Sequence, residues 1–138
     1  MMKKAFLSII AAVIILITLC PVPLFAQEIS VSIDGFDVNF GKDEPLFSGD
    51  SIMIPIRTLS ENMGKKVRWN SAAQRAVIED NSTVITIEKG SSTALVNGKE
   101  VSLPASAAVY NDKLYVPVRF VSEAMGMTVN YDDNRVEI

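Results

Sequence analysis

Histidine is absent from this chain of 138 residues, and its one cysteine, Cys20, lies in an apolar stretch near the start. The usual general base, the usual copper ligand and a downstream thiolate nucleophile are therefore all missing. Serine and threonine are plentiful, and composition alone leaves a Ser–Lys arrangement open. No Gly-rich phosphate loop occurs, because the seven glycines are scattered over turns and caps. Methionines 63, 125 and 127 offer soft sulfur, but their spacing puts them on apolar helix faces, where packing is their ordinary role. The sequence predicts no catalytic, cofactor-binding or metal-binding residue.

The charges that stand out are Arg57 and Arg119, each in the first turn of an expected helix, where the helix dipole disfavours a cation. Glu61 and Glu123 stand four residues on and can compensate, although Arg before Glu is the weaker orientation. The alternatives are loop carbonyls or a carboxylate elsewhere in the chain, reached through the guanidinium's fork of donors. In each case the expected role is structural, with an anion pocket as the competing role. Asp132-Asp133-Asn134 has oxygen ligands for calcium but lacks the alternating spacing and later glutamate of a calcium loop, so a solvated turn is expected. Tyr110, Tyr115, Trp69 and Tyr131 are candidates for stacking on sugar rings, with packing the expected role, above all for Trp69 and Tyr131, which occupy equivalent places in a repeat. Asn81-Ser82-Thr83 fits a glycosylation sequon.

The elements that must carry these residues come in two copies. Ile54-Pro-Ile-Arg-Thr-Leu-Ser-Glu-Asn-Met-Gly64 precedes Val116-Pro-Val-Arg-Phe-Val-Ser-Glu-Ala-Met-Gly126 by 62 positions. Pro55, Arg57, Glu61, Met63 and Gly64 match Pro117, Arg119, Glu123, Met125 and Gly126. Val67 matches Val129, and Trp69 matches Tyr131. Val31 and Ile33 alternate with polar residues before Asp34-Gly35, and Phe36, Val38 and Phe40 alternate after it, which predicts a hairpin. Ala94-Leu95-Val96 and Val101 flank Asn97-Gly98 in the same way. A short strand, Ile52–Ile54 or Leu114–Val116, then runs into a proline placed to open a helix. Leu59 with Met63, and Phe120 with Ala124, space apolar groups for one helical face. Gly64 and Gly126 suit the left-handed residue that closes a helix. Strands are expected at 67–69, 76–79, 128–131 and 136–138, with an additional one at 84–88.

This order predicts an α+β fold: a twisted antiparallel sheet packed around short helices and built from two similar halves, 29–90 and 91–138. A feature kept in both copies is more readily scaffold than site. That makes Pro55, Arg57, Glu61, Gly64, Pro117, Arg119, Glu123 and Gly126 the structural motif. Tyr110, Tyr115, Asp132 and Asp133, present once, become the expected binding surface, along with the Lys42-Asp43-Glu44-Pro45 segment.

The start of the chain has the layout of a secretory signal peptide over 1–26. Met1-Met2-Lys3-Lys4 is basic, Ala5–Leu19 is apolar, and Ala26 offers a small residue for cleavage. The apolar run is about 15 residues, short of the ~20 that span a bilayer, so no stable membrane span is expected after processing. Ile17-Thr18-Leu19-Cys20 loosely resembles a lipobox, but Leu19 is bulky and Pro21 follows, which makes lipid attachment at Cys20 the lesser alternative. No anchor, linker or second module is expected after residue 138. Without Lys3 and Lys4 the 13 basic residues fall to 11 against 16 acidic ones, a net charge of −5. With no basic cluster beyond Lys65-Lys66, nucleic acid is not an expected partner.

The paired Ile-Pro-Ile-Arg and Val-Pro-Val-Arg motifs each lead through Ser-Glu-x-Met-Gly to Val-x-Trp or Val-x-Tyr. In this order and spacing, over 29–138, they resemble the copper amine oxidase N-terminal-like domain, or stalk domain, of exported proteins from Gram-positive bacteria. The resemblance implies an antiparallel sheet around helix and no oxidase activity, since that domain is accessory and distant from copper. The expected function is a non-catalytic, secreted or cell-surface module that binds cell-wall polymer or another surface protein. The alternative is an accessory or inhibitor subunit docking on a secreted enzyme. No cofactor is expected.

Overall fold

The computed structural model describes residues 27–138, so the signal peptide expected over 1–26, its cleavage after Ala26, and Cys20 lie outside the described residues. Among the described residues antiparallel strands dominate, with two short helices between them, an α+β arrangement. The strands form three small sheets rather than the single sheet expected.

The middle sheet runs in the order β10 (Ala108–Tyr110), β11 (Lys113–Pro117), β4 (Ser51–Pro55), β3 (Leu46–Ser48). Its central ladder pairs the matched motifs with each other: Ile54 stands opposite Val116, Tyr115 opposite Pro55, and Pro117 opposite Met53. Each of these strands is an apolar run buried on both faces, as a central strand requires. The boundaries of β3 and β4 recur 62 residues later as those of β10 and β11.

Each central strand turns directly into a seven-residue helix, α1 (Ile56–Asn62) after β4 and α2 (Val118–Ala124) after β11. Pro55 and Pro117 are the N-caps of these helices, one position before the expected first turn. Both are extended, at φ −60°, ψ 120° and φ −61°, ψ 121°. Extended backbone at proline ends the strand and presets entry to the helix. Gly64 and Gly126, at φ +71° and +81°, close the helices in the left-handed region that glycine enters without Cβ strain. Leu59 and Val121 face inward, fully buried.

A second sheet of five strands follows the order β5 (Lys66–Asn70), β6 (Arg75–Glu79), β7 (Val84–Glu88), β8 (Thr93–Val96), β9 (Lys99–Ser102). The third follows β12 (Asn130–Asp132), β13 (Arg135–Glu137), β1 (Ser30–Ile33), β2 (Phe36–Asp37). Both expected hairpins form, with Asp34 and Asn97 at φ +51°. The first is shorter than its alternation predicts: β2 stops at Asp37, and Phe36 is exposed. Strand β1 pairs with β13 in parallel, through Val31 opposite Val136, against the antiparallel expectation. Hydrogen bonds from Ile138 N–H to the Ser32 carbonyl and from Asp34 N–H to the Ile138 carbonyl, each 2.9 Å, extend that pairing. The β1–β2 hairpin thus completes a sheet with strands from beyond residue 91, while β8–β9 joins strands from before residue 90.

One continuous cluster of buried side chains joins the layers. It includes Val31, Ile54, Leu59, Ile78, Ile85, Ile87, Val116, Val121 and Val136. Met63 and Met127 pack partly buried against it and Met125 lies within it, in the packing role expected.

Candidate functional site

Two grooves flank the central ladder, and their linings correspond at the same 62-residue spacing. The larger, about 740 Å³, lies between α1 with β5 and the β10–β11 turn, and includes Pro55, Arg57, Trp69, Asp112, Lys113 and Leu114. The smaller, about 340 Å³, includes Pro117, Arg119, Tyr131, Asp50, Ser51 and Ile52. Trp69 and Tyr131 are presented alike, on the inward-facing side of a sheet edge, because each stands opposite a buried residue of the next strand (Ala76 and Val136). They are 39% and 38% exposed, so the packing expected of this pair covers only part of each ring.

The grooves differ in what lines them. In the smaller, the Arg119 guanidinium lies 4.5 Å from the Tyr131 ring centre, a cation–π contact along its wall. Arg119 also stands 3.7 Å from Glu123. In the larger groove Arg57 stands 4.0 Å from Glu61. These i,i+4 partners are the ones the spacing indicates, but all four side chains are about half exposed, where such pairs contribute little. Lys89 also lines the larger groove, and neither it nor Lys113 has an ion-pair partner among the described residues. The rim turn of this groove holds Asn111 at φ +48° and Asp112 at φ +60°, two left-handed residues without glycine.

Of the residues expected to form a binding surface, Tyr115 does not reach it. It is 2% exposed, and its hydroxyl donates to the Glu44 carbonyl at 3.0 Å. Burial raises the phenol's pKa above its ordinary 10.0, and the charges of Asp43 and Glu44 add to the rise. Tyr110 is exposed and meets Tyr115 edge to face, with ring centres 5.3 Å apart. Asp132 and Asp133 belong to the β12–β13 hairpin of a different sheet, so they do not join the tyrosines. The Lys42–Pro45 segment packs its Glu44 backbone over Tyr115 instead of standing free.

The best-formed ion pair joins Lys65, just after α1, to Asp80 at the end of β6, at 2.7 Å. The Lys65 ammonium, then the Asn81 backbone N–H, hold the Asp80 carboxyl below its ordinary 3.8. Ser60 and Ser122, identical in the two copies, bury hydroxyls with no partner among the described residues. Sequence reasoning missed the larger groove. The signal for it lay in extending the match upstream, where Asp112-Lys113-Leu114 replaces Asp50-Ser51-Ile52.

The donor set does not fit copper. The chain has no imidazole, its lone thiol lies outside the described residues, and no three Asp, Glu, His or Cys side chains converge among those described.

Comparison with known proteins places this arrangement. The chain is 25% identical, over its whole length, to a protein named protease inhibitor from Brevibacillus choshinensis. Over 57% of its length it is 26% identical to a primary amine oxidase of Klebsiella aerogenes. It spans 41% of the first protein and 11% of the second. A family model described as the copper amine oxidase N-terminal domain matches residues 32–138. The chain belongs to the copper amine oxidase N-terminal domain family.

Proposed function

We propose that this chain is an exported, non-catalytic accessory module that docks on another protein, with a secreted enzyme of the protease class as its partner. The carrying observation is the alignment of the whole chain with a protein named as a protease inhibitor. Membership of a family of N-terminal domains supports an accessory role. The lack of imidazole supports docking without turnover. Export rests on the basic start, the apolar run Ala5–Leu19 and the small residue Ala26. We also read the fold as a duplication, halves 29–90 and 91–138 exchanging hairpins across the central ladder, with Ile54 opposite Val116 as its motivating contact. The Pro, Arg, Glu and Gly that match between the copies then serve as scaffold.

A surface polymer of the bacterial envelope is the second reading, favoured by the half-exposed Trp69 ring in a groove of ligand-binding size. Incubating the purified chain with a panel of secreted serine and metalloproteases, and separately with insoluble cell wall, tests both. Docking predicts a complex by size-exclusion chromatography and reduced peptidase activity. Retention on wall with no protease complex would replace the first reading with the second.

A further inference from the structure

We propose that the groove beside Trp69 holds an acidic peptide segment of the partner, and that its smaller counterpart beside Tyr131 does not. The proposal rests on the protein-docking reading and names the surface that would do it. Three cations line the open groove: Arg57, Lys89 and Lys113. Glu61 stands against Arg57, and Asp112 is a second acid on the rim. Lys89 and Lys113 have no ion-pair partner among the described residues, and neither has Asp112, so the lining's three cations against two carboxylates leave a net charge of +1. The chain as a whole is acidic beyond residue 26, with 11 basic against 16 acidic residues, the groove's own charges included. A local excess of the opposite sign steers an anionic segment to this spot. The exposed part of Trp69 supplies flat apolar area in the same groove, of the kind that anchors a binding surface.

The smaller groove is the internal control. It repeats the proline, the arginine and the aromatic, but its arginine is spent on its own ring at 4.5 Å and it holds less than half the volume. Asp50 and Ser51 stand where the open groove has Asp112 and Lys113, so a cation is lost as well. One fold therefore presents two related grooves that differ in volume and in charge.

Trp69 is the chain's sole tryptophan, so its emission reports on the groove directly. The purified chain is titrated with a short glutamate-rich peptide, a lysine-rich peptide of equal length, and polyglycerol phosphate. The expected result is a saturable change with the glutamate peptide that weakens as salt rises. Joint Lys89→Glu and Lys113→Glu substitution should weaken it about tenfold, with the melting temperature retained because both side chains are solvated. Arg119→Ala should leave the Trp69 response as it was. No response to the glutamate peptide, or an equal response to the lysine peptide, overturns the proposal. A stronger response to polyglycerol phosphate assigns the groove to a polymer and overturns it too. If a protease binds the chain but the double variant binds it equally well, the groove proposal falls and docking stands. If no protease binds while the glutamate peptide still titrates Trp69, docking falls and the groove stands.

Discussion

Replacing Tyr115 with Phe removes a single oxygen from the core and should change stability in a way that depends on pH. The ring stays, edge to face with Tyr110, so apolar packing is preserved. What is lost is the 3.0 Å hydrogen bond to the Glu44 carbonyl. A neutral bond of this kind contributes about 1 kcal/mol net, so the variant should unfold about 1 kcal/mol more easily at neutral pH. Alkaline conditions reverse the trend. The folded phenol has a pKa above 10.0, so on raising the pH the unfolded chain loses this proton first. The wild-type contribution is complete below 10.0 and disappears as pH climbs toward the folded value, at no more than about 1.4 kcal/mol per pH unit. Phenylalanine has no proton to lose. The gap between the two should therefore narrow as pH rises past 10.0. Urea unfolding followed by Trp69 fluorescence at a series of pH values measures it. A gap that is constant or widens over that range would refute the buried phenol, and a variant as stable as wild type at neutral pH would refute the hydrogen bond.

Leu59→Ala, at a fully buried position of α1, should cost about 2–5 kcal/mol in chemical unfolding, whereas Arg57→Ala two residues away should cost under about 1 kcal/mol. The Lys65–Asp80 pair stabilises the fold above the ordinary carboxylate pKa of 3.8 and stops doing so as pH falls through the lower folded value. Asp80→Asn should thus flatten the acid limb of a plot of melting temperature against pH. Gly126→Ala meets no neighbouring atom but must hold φ +81°, so thermal unfolding should show a loss of about 1 kcal/mol from backbone strain alone.

Local signals carried well from sequence to structure. Asp34-Gly35 and Asn97-Gly98 make their hairpins because adjacent residues there accept positive φ. The additional strand expected at 84–88 also forms, as β7 (Val84–Glu88). Strands β3 and β10 were not legible, since Leu46-Phe47-Ser48 and Ala108-Val109-Tyr110 show no alternation. The parallel β1–β13 pair was not legible either, because partners at opposite ends of the chain leave no local trace. Tyr115 shows where comparing the two copies misled. Its uniqueness marked it for a surface, yet its counterpart Met53 is fully buried, and the position is core in both. A phenol fits there because a backbone carbonyl from the Lys42–Pro45 segment takes its proton. The open groove stayed hidden for a related reason. Arg57 and Trp69 read as scaffold because they repeat, while only the structure brings Lys89 and Lys113 beside them.

Calorimetric titration of the purified chain into secreted proteases, paired with peptidase rates on the same samples, bears most directly on docking without chemistry. The account predicts saturable, stoichiometric heat with at least one protease, a fall in its peptidase rate, and an intact chain recovered afterwards. No heat with any protease, or turnover of a substrate by the chain alone, would contradict it.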